Sequence, residues 1–177
     1  MKMELNEVMQ KRRSVRKYLD AQISQEEIKE IIHAAQLAPS WKNSQNGRYY
    51  VALSEEAIRT VYDALPDFNQ RSTVNAAYII AAFKEKTSGA IRDGEMSEEG
   101  DLWGGYDLGL QNAYLLLKAS EMGYDTLIMG LRGTKALREY FSIPEDEIIM
   151  PVIAIGKRDG DVNLRPRKDL SEILKIR

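Results

Sequence analysis

The chain has 177 residues, 44% of them hydrophobic, with 25 basic and 27 acidic side chains and a net charge of −2. That apolar content argues for a packed core, and the charge balance against a general nucleic-acid binder, which needs surplus cations to displace counterions from phosphates. With no cysteine and one histidine, His33, the chain has no disulfides, iron–sulfur clusters, thiol nucleophiles or histidine-rich metal site.

In chain order, Leu5, Val8 and Met9 predict a short amphipathic helix over residues 3 to 13. Ser24 and Glu27 form a capping-box pair opening a second helix, whose apolar face is Ile28, Ile31, Ile32 and Ala35 and whose end is marked by Pro39. A polar loop, SWKNSQNG, leads to the strand-forming run RYYVAL. Ser54 caps a helix reaching about Leu65, broken by Pro66. AAYIIAAF, residues 76 to 83, reads as a buried strand, and residues 84 to 105 as an irregular excursion or lid. A long helix is expected from Tyr106 to Met122, with Leu108, Leu115, Leu116 and Ala119 inward and Gly123 just past its end. DTLIMG is a third strand, Thr134 to Phe141 a short helix and IIMPVIAIG a fourth strand; Asp169 and Glu172 cap a last helix. No run approaches the ~20 apolar residues that cross a bilayer, and no apolar leader opens the chain. The expectation is one cytoplasmic α+β domain over residues 1–177, without repeats or linker.

Three clusters carry chemistry. KRRSVRKY places Arg12, Arg13 and Arg16 around Ser14, a set that can grip phosphate oxygens; it is equally the pattern of a solvated basic patch at a helix end. RPRKD adds Arg165, Arg167 and Lys168 near the other terminus. Termini of compact domains often lie close, and if both clusters met, a multiply charged anion such as a phosphate monoester would be needed among them. In PSWKNSQNG, Ser40, Asn43 and Gln45 offer neutral donors and acceptors suited to a heteroaromatic ring, although the same residues favour turns for backbone reasons alone. GDLWGGYDLG matches neither nucleotide-loop pattern, and RDGEMSEEGD misses the calcium-loop spacing. His33 reads as a helix-flank residue, while Trp103 and Tyr106 suit either stacking on a flat ligand or burial.

In order and spacing, RRSVRKY, APSWKNSQNGRYYV, DLGLQNAYLLLKASEMGYDTLIMG and VIAIGKRDGDVNLRPRKDLSEI resemble the nitroreductase family of flavin enzymes over nearly the whole chain. The resemblance implies a central, mostly antiparallel sheet flanked by helices, in a homodimer with FMN at the subunit interface. It implies phosphate contacts from Arg12, Arg13 and Ser14 and from Arg165 and Arg167, with Arg16 near the flavin's pyrimidine edge as electrostatic support. Ser40, Asn43 and Gln45 match the ring- and ribityl-binding loop, and Gly130 and Leu131 the backbone that passes the flavin. The activity implied is ping-pong transfer from NADH or NADPH through FMN to a nitro compound, quinone or similar flat acceptor, with no protein nucleophile and no metal. One departure is Gln45-Asn46-Gly47 where the family commonly has Gln-Pro-Trp, which implies a looser, less apolar segment. Alternatives are a relative that fragments flavin or dehalogenates aromatics, a flavin-storage or sensing protein without turnover, and an α+β interaction domain whose arginines are only solvated charge.

Overall fold

The computed structural model describes residues 3–92 and 95–177. Four strands form one sheet, β1 (Gly47–Ala52), β2 (Ala77–Lys84), β3 (Asp125–Met129) and β4 (Glu147–Gly156), in the order β1-β2-β4-β3 with every neighbouring pair antiparallel. The helices are α1 (Leu5–Lys11), α2 (Gln25–Gln36), α3 (Glu55–Asp63), α4 (Asp67–Ser72), α5 (Leu102–Glu121), α6 (Thr134–Phe141) and α7 (Leu170–Ile173). The α+β class and the antiparallel sheet are as the sequence predicts. None of the described helices is long and apolar enough to cross a membrane.

The two inner strands are apolar on both sides, as their sequences require. On one face Tyr78, Ile80, Val152 and Ala154 pack with Val61 of α3 and Leu137 of α6. On the other, Ile79, Ile153 and Ile155 meet Ile28, Ile31 and Ala35 of α2 and Leu115 and Ala119 of α5. Pro151 lies inside β4 without breaking it, because the register shifts there: Ile80 faces Val152 but Ala82 faces Ile149. A bulge of this kind absorbs the missing N–H.

The capping box of α2 forms as predicted. Ser24 Oγ accepts the Glu27 N–H at 3.2 Å, and the Glu27 carboxylate accepts the Ser24 N–H at 2.8 Å. Tyr124 adds its hydroxyl to the same carboxylate at 2.7 Å, tying α2 to the start of β3. These hydrogen bonds hold the Glu27 pKa down at about 2, while burial and the Glu27 carboxylate push the Tyr124 hydroxyl up to about 12.

Boundaries differ from expectation in three places. The first helix is shorter than residues 3 to 13, and α5 begins at Leu102 rather than Tyr106. Helix α4 follows Pro66, which serves as its N-cap instead of as a simple stop. Within the 84–105 stretch, a bridge pairs Ala90 with Met96 before α5 starts.

Candidate functional site

After α1 the chain runs extended along β3. Val15 N–H donates to Thr126 O at 3.0 Å and Ser14 forms a parallel bridge with Thr126, the one parallel contact beside the sheet among the described residues. Period-two alternation then sorts the motif. Val15 is buried, whereas Ser14 and Arg16 are exposed and Arg12 is half-buried on the other side of the segment. Arg13 turns back, its guanidinium donating to the carbonyls of Gln10 and Arg12 at the end of α1, where a cation also complements the helix dipole.

The same edge receives the chain leaving β4. Leu19 N–H donates to Lys157 O at 2.9 Å, and Asp159 N–H to Lys17 O at 3.0 Å. Arg158 grips the buried Asp125 with two hydrogen bonds, 2.7 and 3.1 Å. Val162 packs against the core; residues 163–177 are exposed and, among the described residues, hydrogen-bond only with one another. Arg165 and Arg167 lie on this segment, a few residues beyond the anchor at Lys17. The structure anchors the chain leaving β4 beside Lys17, and no hydrogen bond joins the two arginine clusters among the described residues. Nor does any of Arg12, Arg13, Arg16, Arg165 and Arg167 form an ion pair among the described residues; Lys168 pairs with Glu172.

The loop between α2 and β1 is tightly built. A 3-10 turn, Trp41–Asn43, is followed by Gln45, and Lys42, Asn43 and Gln45 have φ of 45°, 57° and 48°. Ser40 Oγ accepts the Gln45 N–H at 3.0 Å, so one predicted polar residue shapes the backbone of another. Trp41 donates its indole N–H to Ala90 O at 2.9 Å, and Lys42 reaches Ala90 O and Ile91 O at 3.0 and 2.7 Å. Trp41 stacks at a tilt on Trp103, 5.0 Å between ring centroids, and Tyr106 meets Trp103 edge-on, 5.5 Å between centroids. Trp103 is thus largely occupied by its neighbours, and Tyr106 is exposed.

The Gln45-Asn46-Gly47 departure does not give a loose segment. Asn46 is fully buried, its carbonyl accepting the Lys84 N–H at 3.0 Å and its Nδ2 approaching Gly104 O at 3.4 Å, while its Oδ1 has no partner among the described residues. A Cβ on Gly47 would lie 1.8 Å from Gln111 Oε1, so the side chain of α5 fills the space beside this glycine.

Two residues that the sequence did not single out belong to this region. Asp107, on the inner side of α5, accepts the Trp41 N–H at 2.9 Å and the Ser88 hydroxyl. Its only signal in the sequence is a polar side chain beside Leu108 on a stripe that also buries Gln111 and Asn112. Arg132 follows Gly130 and Leu131, both exposed, and donates to the carbonyls of Gly130 and Ile149. Its Nε is buried without a partner, and burial pulls its pKa below the usual guanidinium value. Arg132 is the one charged residue in a groove of about 390 Å³ between α5 and the β3–β4 edge, lined also by Gly109, Asn112, Ile128, Gly130 and Met150.

A chain with this fold and these clusters has relatives. The model of the nitroreductase family matches residues 9–157. A provisionally named NADH dehydrogenase/NAD(P)H nitroreductase of Archaeoglobus fulgidus is 31% identical over 150 residues, covering 82% of this chain and 80% of that protein. A provisionally named NAD(P)H nitroreductase of Bacillus subtilis is 30% identical over 182 residues, covering 85% and 87%. Among solved structures, a provisionally named nitroreductase from Exiguobacterium sibiricum in complex with FMN superposes with a TM-score of 0.80 at 27% identity, covering 99% of this chain and 98% of that one. A provisionally named NAD(P)H:FMN oxidoreductase from Staphylococcus epidermidis reaches a TM-score of 0.87 at 23% identity, covering 99% and 97%, a likeness of fold.

Proposed function

The chain belongs to the nitroreductase family, and we propose on that footing that it is an FMN-dependent oxidoreductase drawing on NADH or NADPH. The observation that carries this reading is uncompensated charge: five arginines, three around the segment beside β3 and two on the exposed carboxyl-terminal segment, have no carboxylate partner among the described residues. Guanidinium groups so arranged repel one another unless an anion lies between them, and a phosphate monoester is the anion their bidentate geometry suits. The donor chemistry of the site therefore fits FMN.

Arg12, Arg13 and Ser14, with Arg165 and Arg167 from the carboxyl-terminal segment, would hold the phosphate. Arg16, exposed two residues beyond Ser14, would face the pyrimidine edge and stabilise negative charge there. Ser40, Asn43 and Gln45 supply neutral donors and acceptors for the ring and ribityl chain. Gly130 and Leu131 offer exposed backbone that can approach a flat ring closely, since nothing lies within 4 Å of a Cβ built on Gly130. FMN, when bound, supplies hydride transfer from the nicotinamide to a nitro compound, quinone or similar flat acceptor in a ping-pong sequence. The protein's part is to bind, to orient and to place positive charge, a division of labour common to cofactor enzymes. A chain without cysteine and with its single histidine exposed on α2 suits that role.

The acting unit in this reading is a homodimer of a one-domain chain, with the cofactor at the interface and the part of the 84–105 stretch that precedes α5 as a lid. Support comes from the carboxyl-terminal segment, where Leu164, Leu170, Ile173, Leu174 and Ile176 are all exposed, 46–85% of their surface. So many large apolar side chains on one short segment need a surface to cover them.

The test is an absorbance spectrum of the purified protein, reconstituted with FMN, before and after anaerobic NADH or NADPH. Flavin bands that bleach with a nicotinamide and return on adding a quinone or nitroaromatic are expected. Bands that resist both nicotinamides, or no bands after reconstitution, would overturn the reading.

A further inference from the structure

Asp107 is a carboxylate with 2% of its surface exposed and no ion-pair partner among the described residues. Burying a polar group in that way is unfavourable unless hydrogen-bond donors serve it. Both donors here come from outside its own helix: the Trp41 N–H at 2.9 Å and the Ser88 hydroxyl, whose oxygen is also 2.9 Å from Ser44 Oγ. A single carboxylate oxygen thus joins α5 to the 3-10 turn and to the turn at Ser88, itself 1% exposed.

The segment held this way contains half of the six non-glycine residues with positive φ among the described residues. Three of its non-glycine residues, Lys42, Asn43 and Gln45, have left-handed φ. L residues adopt that conformation at a cost, and persist in it only where surrounding contacts over-determine the backbone. Asp107 provides such a contact at the residue immediately before the strained run. The indole of Trp41 and the ammonium of Lys42 close on Ala90 and Ile91 from the same side.

We propose that Asp107 is the positioning residue of the 40–45 loop, holding Ser40, Asn43 and Gln45 in their ligand-facing arrangement and locking that loop to the 88–91 turn. The proposal rests on the cofactor reading above only for the identity of what the loop binds. A neutral residue of the same volume would fill the space. What ties the loop is the side-chain oxygen that accepts both hydrogen bonds.

The experiment follows amide hydrogen exchange and FMN affinity in Asp107→Ala, Asp107→Asn and Ser88→Ala. In Asp107→Ala the Trp41 amide and those of residues 43–45 should exchange ~10-fold faster or more, while the amides of Ile79 and Ile153 in the core strands keep their rates. The dissociation constant for FMN should rise ~10-fold in the same variant. Asp107→Asn, which retains an acceptor, should recover much of both effects, and Ser88→Ala should show a smaller loop-confined change. Should Asp107→Ala fail to fold, the two milder variants carry the test by the same readouts. Loop amides at wild-type rates, or acceleration spread equally to the core strands, would overturn the positioning role. If the wild-type protein takes up no FMN, the cofactor reading falls, and exchange still decides the role of Asp107.

Discussion

Replacing Gly104 by alanine sets two effects of opposite sign against each other on one residue. Alanine is the better helix former by up to about 1 kcal/mol, so on an exposed face of α5 the change would stabilise. Gly104 is buried, however, and a Cβ there would lie 2.4 Å from both Cδ2 and Cε2 of Phe83 and 3.2 Å from Nδ2 of Asn46. Phe83 is 3% exposed and packs with Ala81 and Leu108, so its ring has little room to retreat. Overpacking of this kind costs about 1–3 kcal/mol, and a contact this short with a confined ring belongs at the upper end. The net expectation is destabilisation by about 1–2 kcal/mol. For a chain of this length that lowers Tm by about 2–8 °C. The assay is thermal unfolding at fixed protein and FMN concentrations, since ligand and oligomer both shift Tm by mass action. Adding Phe83→Leu, which removes the clashing ring atoms, should make the alanine far less costly than it is alone, a coupling that a double-mutant cycle measures. An unchanged or raised Tm in Gly104→Ala would refute the claim that α5 carries a glycine at 104 because Phe83 and Asn46 occupy the space of a side chain.

Other substitutions probe separate parts of the account. Glu27 has a folded pKa of about 2 against an ordinary 4.5, so its contribution to stability is complete above about pH 4.5 and is lost as pH falls toward 2. Glu27→Gln should flatten acid unfolding over that window, read from urea midpoints at several pH values. Tyr124 is shifted upward to about 12, so it should make the protein less stable as pH rises from 10 to 12, and Tyr124→Phe should remove that slope. Arg158→Met leaves the buried Asp125 without its two hydrogen bonds and should destabilise by about 3 kcal/mol, measured by chemical denaturation. Arg12→Ala should weaken FMN binding roughly tenfold or more with little change in apoprotein Tm. Arg13→Ala should lower apoprotein Tm as well, because that guanidinium also serves carbonyls at the end of α1.

Much of the fold was legible because its signals are local. The Ser24–Glu27 box, the Ser54 cap and the apolar runs of β2 and β4 each lie within a few residues of the element they specify. Pro66 misled because a proline that ends one helix can begin the next, and Asp67 in the first turn of α4 is the companion signal. The start of α5 was hidden by Gly104 and Gly105, both poor helix formers; the placement of Gly104 answers to its contact with Phe83 of β2 rather than to propensity. At the candidate site the arginine clusters and the polar loop could be read as residue types, and alternation along β3 explains which of them face outward. Asp107 could not be read so easily. Its partner Trp41 is 66 positions away, and an aspartate on a helix becomes informative only once the helix is known to bury that face. The Asn46 environment was missed for the same reason: its neighbours, Gly104 and Lys84, come from distant parts of the chain.

The most direct measurement of the central claim compares FMN with riboflavin, by quenching of flavin fluorescence on titration with the purified protein. Riboflavin has the same ring and ribityl chain but no phosphate, so the difference isolates the arginine contacts. Two such charge-assisted contacts are worth about 3 kcal/mol or more, so FMN should bind roughly 100-fold tighter, with the advantage shrinking as salt is raised. Equal affinity for the two flavins would contradict the account, leaving Arg12, Arg165 and Arg167 with no phosphate to hold.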